Sequence, residues 1–196
     1  MRLVLASGSP RRAEILQRLG LAFATALPDI DETRLPDEAP GVYVERLARD
    51  KALAVASPDA VVVAADTAVI HEGHILGKPA HPQEARSMLS RLQGDVHEVF
   101  TGLAVAMGDE LRALVDVTEV RMLPMTAEEI AGYVDTGEPM DKAGAYALQE
   151  RGGLWVEAIT GSPFTVIGLP VHLLPRLVAQ VGSNLDDFFG PSNLSG

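Results

Sequence analysis

The chain has 196 residues, of which 47% are hydrophobic, and this is enough to bury the core of one domain. Its formal net charge of −11 disfavours binding to nucleic acid or to an anionic membrane, because both carry negative charge. The chain has no cysteine for disulfides or thiolate metal sites and no bilayer-length apolar run, so we expect a cytoplasmic protein.

Short apolar runs and helical periodicity alternate in the first part of the chain. The patterns predict a strand at 2–6, a helix at 10–19, a strand at 21–27, a proline-rich loop at 29–41 and a helix at 42–56. The strongest strand is Val61 to Ile70, whose continuous apolar run is typical of a sheet buried on both faces. The tip HEGH then predicts a hairpin that returns through Ile75 and Leu76.

The alternation continues through the rest of the chain. The patterns predict helices at 82–92, 126–134 and 171–181, and strands at 96–107, 111–123 and 154–159. Thr126 and Glu129 have the spacing of a capping box. We therefore predict an α/β fold with a mixed sheet, in a single domain of residues 1–182. Residues 183–196 lack periodicity and predict a flexible C-terminal tail.

The segment SGSPRR joins the first strand to the first helix. Ser9 suits the N-cap and Pro10 the first helical position, so backbone N–H groups and the positive end of the helix dipole would face the loop. Arg11 and Arg12 add positive charge where the dipole disfavours it, and a phosphate ligand would offset that cost. The alternative is a capped surface helix with two solvated arginines.

Two carboxylates are candidates for a catalytic or metal site. Asp66 stands near the end of the apolar strand, where α/β sheets place their ligands, and it is suited to hold Mg²⁺ or to act as a general base. Its alternative role is to cap a turn. Glu32 lies in the acidic loop DIDE and alone is typical of a solvated surface residue. As a pair, the two carboxylates are suited to one hard cation.

Two lysines and one glycine-containing segment complete the candidates. Lys51, on a helix, and Lys78, in GKP, are point charges suited to phosphate, although each alone is more typical of a solvated lysine. In DKAGAYALQ, Gly144 allows the backbone to approach a ligand, and Tyr146 and Gln149 are able to stack on a base or pair with it. Standing alone, this segment is typical of a loop.

Taken together, these segments resemble the Maf family of nucleoside triphosphate pyrophosphatases in their order and spacing. The segments are LASGSPRR, DIDE, Lys51, AADT, GKP, DKAGAYALQ and GSPFTVIGLP, and the resemblance covers residues 2–181. SPRR together with AGAY and Gln149 is similar to the subgroup that acts on dTTP and UTP, as opposed to the one that acts on 7-methyl-GTP. The implied fold is an elongated α/β structure with a mixed sheet and two lobes around a cleft, similar to inosine triphosphate pyrophosphatases.

The resemblance also implies roles for individual residues. Asp66 would be the proton acceptor, and Glu32 and Asp66 would hold a divalent metal, Mg²⁺ or Mn²⁺. Arg11, Thr67 and Gln149 occupy positions tied to substrate choice. The implied catalytic residues are Asp66, Glu32, Lys51 and Lys78, and the implied substrate-binding residues are Ser7, Arg11, Arg12, Thr67 and Gln149. The resemblance to the family is the only reason to expect a homodimer.

The expected function is hydrolysis of dTTP and UTP, with CTP and modified pyrimidine triphosphates as further substrates, which limits their incorporation into nucleic acid. The alternative is a nucleotide-binding regulator of cell division or septum formation, which would need the cations but not the acidic pair. The sequence departs from the family at Glu157 and Ala158, where relatives often carry basic residues, and at Thr165, where asparagine is frequent. These departures concern local phosphate contacts.

Overall fold

A computed structural model describes residues 1–190 of the chain as a mixed sheet with flanking helices. The strands are β1 (Arg2–Ala6), β2 (Phe23–Ala26), β3 (Ala60–His71), β4 (His74–Leu76), β5 (Val96–Met107), β6 (Glu110–Met122) and β7 (Val156–Thr160). The α-helices are α1 (Pro10–Arg18), α2 (Pro40–Ala54), α3 (Pro82–Leu92), α4 (Ala127–Val134), α5 (Pro163–Ile167) and α6 (Leu174–Gln180). Among the described residues, no helix is long and apolar enough to cross a membrane.

The sheet has the strand order β2-β1-β3-β5-β6-β7, with β4 paired to β3. β1 pairs in parallel with β2 and β3, whereas β3 with β4 and β6 with β7 are antiparallel. The predicted α/β class with a mixed sheet is therefore confirmed. The capping box of α4 is confirmed as well, because Thr126 and Glu129 make both reciprocal hydrogen bonds.

The structure differs from the predicted elements in its last third. Short 3₁₀ helices occupy Glu138–Asp141, Ala143–Ala145 and Arg151–Trp155, and α5 lies between the predicted strand at 154–159 and the predicted helix at 171–181. The predicted final helix is divided between a 3₁₀ turn, Val171–Leu173, and α6. Elements of three to five residues are too short to show a helical period, which is why sequence periodicity did not indicate them.

Contacts within the described chain group it into two compact units. The first unit comprises residues 1–66, 101–116 and, of the described chain, 168–190. Its core is built mainly from small side chains of α2 and the strands, namely Val4, Ala6, Ala48, Ala52, Ala60, Val62, Ala64, Ala104 and Ala106. Small side chains let α2 lie close to the sheet, so that polar groups on α2 come near the strand residues.

The second unit comprises residues 67–100 and 117–167. Larger side chains of α3, α4 and the strands form its core, and Leu89, Leu92, Val120 and Tyr133 are almost completely buried there. The segment between α4 and β7, which has little regular structure, packs on this core through Ala145 and Tyr146.

The structure describes residues 183–190 of the segment that the sequence predicts as a flexible tail. Leu185–Phe188 form a 3₁₀ helix, and the side chain of Phe188 is buried. The Ala22 N–H donates to the Phe188 carbonyl at 2.7 Å, and the Gly190 N–H donates to the Gly20 carbonyl at 2.9 Å. Residues up to 190 are thus fixed by contacts with the chain around 20–22, which no local pattern could indicate. Residues 191–196 lie outside the described part.

Gly102 on β5 allows α2 to approach the sheet, and an alanine there should destabilise the protein. A Cβ at Gly102 would lie 2.6 Å from the carbonyl carbon of Val44 and closer still to its oxygen, both in the backbone of α2. We expect Gly102→Ala to lower the free energy of unfolding by about 1–3 kcal/mol, because a backbone neighbour cannot rotate away. Urea denaturation would measure the change.

The matched control is Gly132→Ala in α4, where an added Cβ would meet no atom within 4 Å. Alanine is the better helix former, so this variant should be as stable as the parent or about 0.5–1 kcal/mol more stable. Equal stability of the Gly102→Ala variant and the parent would contradict the close approach of α2.

Candidate active site

A single lysine ammonium joins two of the predicted carboxylates. Lys51 Nζ lies 2.7 Å from Asp66 Oδ1 and 2.8 Å from Glu32 Oε1. The side chains of Lys51 and Asp66 are only 9% and 12% exposed, whereas that of Glu32 is 57% exposed. A charged group that is so little exposed to solvent must be compensated by a hydrogen-bonded group of opposite charge, and the lysine has two such carboxylates. The trio therefore carries one net negative charge. Asp66 lies in the middle of β3, which continues to His71, and not near the end of the strand as predicted.

Helix periodicity explains why Lys51 points towards the strand residues. The buried positions of α2 are Val44, Leu47, Ala48, Lys51 and Ala52, which form one stripe along the helix. Lys51 is the charged member of this otherwise apolar stripe. Asp66 lies on β3, where the neighbouring residues are buried on both faces of the sheet. A buried helix face and a buried strand thus bring the two opposite charges together.

The segment SGSPRR is organised around the hydroxyl of Ser7, which is buried. Arg12 Nη1 donates to Ser7 Oγ at 3.2 Å, and the Ser9 N–H donates to the same oxygen at 3.1 Å. Arg12 Nε also donates to the Gly168 carbonyl at 2.8 Å. Ser9 occupies the N-cap position of α1, but its side chain makes no capping hydrogen bond, in contrast to the prediction. Ser7 therefore orients Arg12, and Ser9 does not cap the helix.

The two arginines and the two carboxylates act on one another electrostatically. Burial of the guanidinium lowers the pKa of Arg12, the charge of Asp66 raises it, Arg11 lowers it further and Glu32 raises it. The guanidinium stays protonated at any physiological pH. Six predicted residues of the first unit thus form one polar cluster: Ser7, Arg11, Arg12, Glu32, Lys51 and Asp66.

The loop that carries Glu32 is fixed by an ion pair that the sequence analysis missed. Arg46 Nε and Nη2 donate to the two carboxylate oxygens of Glu38 at 2.6 and 2.8 Å. Glu38 also accepts from the Leu35 N–H at 3.0 Å, and Arg46 donates to the Thr33 carbonyl at 3.1 Å. The Glu38 side chain is 4% exposed. This bidentate pair holds the part of the loop that follows Glu32 against α2.

Two more side chains hold the same loop. Arg34 Nη2 donates to the Glu38 carbonyl at 2.6 Å, and the Tyr43 hydroxyl donates to the Glu32 carbonyl at 3.2 Å. Burial raises the pKa of Tyr43, and the negative charges of Asp66 and Glu32 raise it further. The partners are separated by up to 13 residues and belong to a loop and a helix, so no spacing rule could have indicated them. Glu38 is one of several acidic residues in this loop, so its type did not set it apart either.

The other predicted site residues lie in the second unit. Thr67 follows Asp66 along β3 and is partly buried, whereas the side chains of Lys78 and Gln149 are exposed. The Gly144 N–H donates to the Gly77 carbonyl at 3.1 Å. This hydrogen bond joins the GKP segment to the segment that leads to Gln149, although the two are far apart in sequence.

Tyr146 is not available to stack on a base. Its side chain is buried, and its hydroxyl lies 2.8 Å from Nε2 of the buried His97. Burial raises the pKa of Tyr146 and lowers the pKa of His97 to about 4, so both groups are neutral at physiological pH. Of the two base-recognition candidates in this segment, only Gln149 is exposed.

The carboxylates of Glu32 and Asp66 supply part of the ligands that a hard divalent cation needs. Within residues 1–190 no group of three or more His, Cys, Asp or Glu side chains could hold a metal. Glu32 and Asp66 supply carboxylate oxygens that reach a common cation, the Lys51 ammonium. Mg²⁺ is commonly bound by one or two carboxylates, with substrate phosphates and waters as its remaining ligands. The pair therefore fits a metal that arrives with an anionic substrate.

Comparison with known proteins identifies the family of the chain. The profile of the family described as Maf-like protein matches residues 2–181. The chain belongs to the Maf family. A dTTP/UTP pyrophosphatase of Anaeromyxobacter dehalogenans strain 2CP-C is 50% identical over 186 residues, which cover 92% of this chain and 94% of that protein. A dTTP/UTP pyrophosphatase of Symbiobacterium thermophilum is 46% identical over 182 residues, with coverage of 92% and 94%.

Among solved structures, this Maf protein is similar to the Staphylococcus aureus Ham1 protein, with a TM-score of 0.46 and 14% sequence identity. The match covers 78% of this chain and 90% of the Ham1 chain.

The structure places the three residues that the sequence analysis singled out as departures on β7 and in α5. Glu157 and Ala158 are exposed residues on β7, and Ala158 lies opposite Arg121 of β6. Thr165 is buried in the short helix α5, and its N–H donates to the Ser162 carbonyl at 3.0 Å. A buried threonine contributes to packing, whereas the two β7 residues face solvent.

The Glu38–Arg46 pair should stabilise the protein only above acidic pH. The hydrogen bonds from Arg46 lower the pKa of Glu38 from 4.5 to about 2. Because the folded-state pKa is depressed, the stabilisation is complete above pH 4.5 and is lost as the pH falls towards 2. Thermal denaturation between pH 7 and pH 2 would measure this. Below pH 4.5 we expect the melting temperature of the parent to decrease more than that of Glu38→Gln.

Glu45→Gln is the control, since Glu45 forms a more exposed pair with Arg49 within α2. Its melting temperature should follow the parent across the pH range. Parallel curves for the parent and Glu38→Gln would show that the Glu38 pair does not hold the loop.

Proposed function

We propose that the protein hydrolyses nucleoside triphosphates to the nucleoside monophosphate and pyrophosphate, with dTTP and UTP as its preferred substrates. The observation that carries the proposal is the Lys51 ammonium held between Asp66 and Glu32, with Arg12 of SGSPRR interacting electrostatically with the same two carboxylates. A protein that only binds nucleotides needs the cations but has little use for the acidic pair. The printed names of the Maf relatives supply the substrate class.

Positively charged side chains of the first unit would neutralise part of the negative charge of the substrate. A nucleoside triphosphate carries about four negative charges, and charge-assisted hydrogen bonds from guanidinium groups suit phosphate oxygens. Arg11, Arg12 and Lys51 supply three positive charges in the first unit. Ser7 fixes the direction of the Arg12 guanidinium before substrate binds, which reduces the conformational entropy lost on binding. Lys78 stays a predicted contact to phosphate.

In the proposed reaction, Asp66 accepts a proton from water as the water oxygen attacks the α-phosphorus. The bond between the α-phosphorus and the oxygen that bridges to the β-phosphorus breaks, and pyrophosphate leaves with that oxygen. Lys51 holds one oxygen of the Asp66 carboxylate and so orients the base. Lys51 and the arginines also stabilise the negative charge that develops on the phosphate oxygens.

Glu32 and Asp66 would hold the divalent metal, Mg²⁺ or Mn²⁺. When bound, such an ion neutralises phosphate charge and polarises the α-phosphoryl group. The Glu38–Arg46 pair and Tyr43 keep the loop in place, so that Glu32 reaches Lys51 despite lying in an irregular, proline-rich segment.

Gln149 would select the base. Its amide offers both a donor and an acceptor, which match the N3 and O4 edge shared by uracil and thymine, while the C5 methyl group requires only space. An amide that rotates can also pair with cytosine, so slower hydrolysis of CTP is part of the proposal. Removal of such nucleotides, including modified ones such as 5-methyl-UTP, would limit their incorporation into nucleic acid. A cytoplasmic location and a homodimer stay predictions.

Asp66→Asn should abolish turnover while nucleotide affinity is retained. Asparagine keeps an oxygen that can accept from Lys51 but cannot take a proton from water. We expect kcat for pyrophosphate release from dTTP to fall by roughly 10²–10⁴-fold, which is the usual contribution of a general base. Calorimetric titration with a non-hydrolysable α,β-methylene analogue should give an affinity within a few-fold of the parent.

Asp109→Asn, at the exposed turn between β5 and β6, is the matched control and should leave kcat unchanged. Turnover by Asp66→Asn at the parent rate would refute the base role. Nucleotide binding by the parent without pyrophosphate release from any triphosphate would instead support the regulatory alternative.

Glu32→Gln should weaken metal binding as well as catalysis. A neutral amide is a poorer ligand for Mg²⁺ or Mn²⁺ than a carboxylate, so Mn²⁺ affinity in the presence of the α,β-methylene analogue should fall about tenfold or more. Electron paramagnetic resonance of free Mn²⁺ measures this without turnover. Glu45→Gln should bind Mn²⁺ like the parent, and unchanged Mn²⁺ affinity in Glu32→Gln would exclude Glu32 as a ligand.

A further inference from the structure

The segment that carries Gln149 is anchored by a carboxylate outside the predicted site. Glu138 Oε1 accepts from the Tyr133 hydroxyl at 2.7 Å and from the Gly152 N–H at 3.0 Å. Glu138 Oε2 accepts from the Arg151 N–H at 3.1 Å. Three donors from α4 and from the chain just after Gln149 therefore converge on one side chain.

The same network holds the chain just before Gln149. The Tyr133 hydroxyl, which donates to Glu138, accepts from the Ala147 N–H at 3.3 Å. Tyr133 is almost completely buried, and burial raises its pKa, so the hydroxyl keeps the proton that it donates. Gln149 thus lies between two backbone attachments, Ala147 on one side and Arg151 with Gly152 on the other.

A buried lysine ties the start of the segment to the residue after Gln149. Lys142 Nζ donates to the Glu138 carbonyl and to Asp141 Oδ1, both at 2.7 Å, and lies 3.5 Å from Glu150 Oε1. The Lys142 side chain is 7% exposed, whereas those of Asp141 and Glu150 are 62% and 48% exposed, so the lysine is buried and its acidic partners face solvent. Glu150 is therefore held while its neighbour Gln149 faces solvent.

Close packing leaves the segment little room to move. A Cβ added at Gly152 would lie 2.5 Å from the Tyr133 hydroxyl and 2.8 Å from the Ala147 nitrogen. At Gly153 a Cβ would collide with the Leu148 carbonyl. The backbone on the two sides of Gln149 is thus in direct contact, and only glycine allows that approach.

We propose that Glu138 is a positioning residue for base selection, which fixes the backbone on both sides of Gln149 and so places its amide where it meets the N3 and O4 edge of uracil and thymine. The inference rests on the proposed role of Gln149. On a mobile loop the amide would meet the base over a range of distances and angles, whereas a fixed backbone restricts the positions that the amide can reach and so keeps its hydrogen bonds to the base short and aligned. A carboxylate suits this role because it accepts from all three donors at once, whereas an amide would turn an NH₂ group towards one of them.

The decisive measurement is the ratio of kcat/KM for UTP to kcat/KM for CTP. We expect Glu138→Gln to lower this ratio on the order of tenfold, because weakening one hydrogen bond to the base changes binding by up to about that factor. Hydrogen exchange of peptides covering residues 147–153 should be faster in the variant without nucleotide. Tyr133→Phe removes one donor without touching the carboxylate, and it should lower the ratio in the same direction. If Glu138→Gln does not fold, the ratio measured for Tyr133→Phe tests the inference instead.

Two comparison variants separate the inference from its foundation. Glu128→Gln, an exposed residue in the first turn of α4, should leave both the ratio and the exchange unchanged. Gln149→Ala should lower the ratio by itself, and if it does not, the base-recognition part of the proposed function and the inference fall together. If Gln149→Ala lowers the ratio while Glu138→Gln and Tyr133→Phe keep the parent ratio, the inference alone is overturned. Loss of thermal stability with the parent ratio retained also overturns it, because the anchor would then be structural only.

Discussion

The Lys51 ammonium and its two carboxylates are the constraint on which the rest of the site depends. Removing a cation from water costs several kcal/mol unless partners replace the lost hydration, and here Asp66 and Glu32 do so. The requirement fixes the register of α2 against β3 and the path of the loop that brings Glu32. Gly102 belongs to the same constraint, because it lets the helix lie close enough to the sheet for the lysine to reach.

Carboxylates that anchor irregular backbone are a second theme of the molecule. Glu38 binds Arg46 and a backbone N–H, and so holds the loop of Glu32. Glu138 binds a tyrosine and two backbone N–H groups, and so holds the segment of Gln149. In both units, a segment that is too irregular to be rigid by itself takes its rigidity from a charged side chain with several donors. Functional groups on loops need such support if they are to be preorganised.

The overall acidity of the chain is compatible with an anionic substrate because the positive charges are local. A net charge of −11 discourages polyanions with large footprints, whereas a triphosphate is small enough to meet a few placed cations. Arg12 is held by Ser7 and by the carbonyl of Gly168, so its position is set by the fold and not by the bulk charge.

The sequence by itself determined most strands and helices, the capping box of α4 and the family, because periodicity, end signals and ordered motifs are local properties. It also indicated Lys51, a charge on an apolar helix stripe. Tertiary structure alone decided the Glu38–Arg46 pair, the Glu138 anchor, the burial of Tyr146 and the fixed position of Phe188. These depend on partners that are distant in sequence or follow no regular spacing, and only the folded backbone brings such groups within hydrogen-bonding distance.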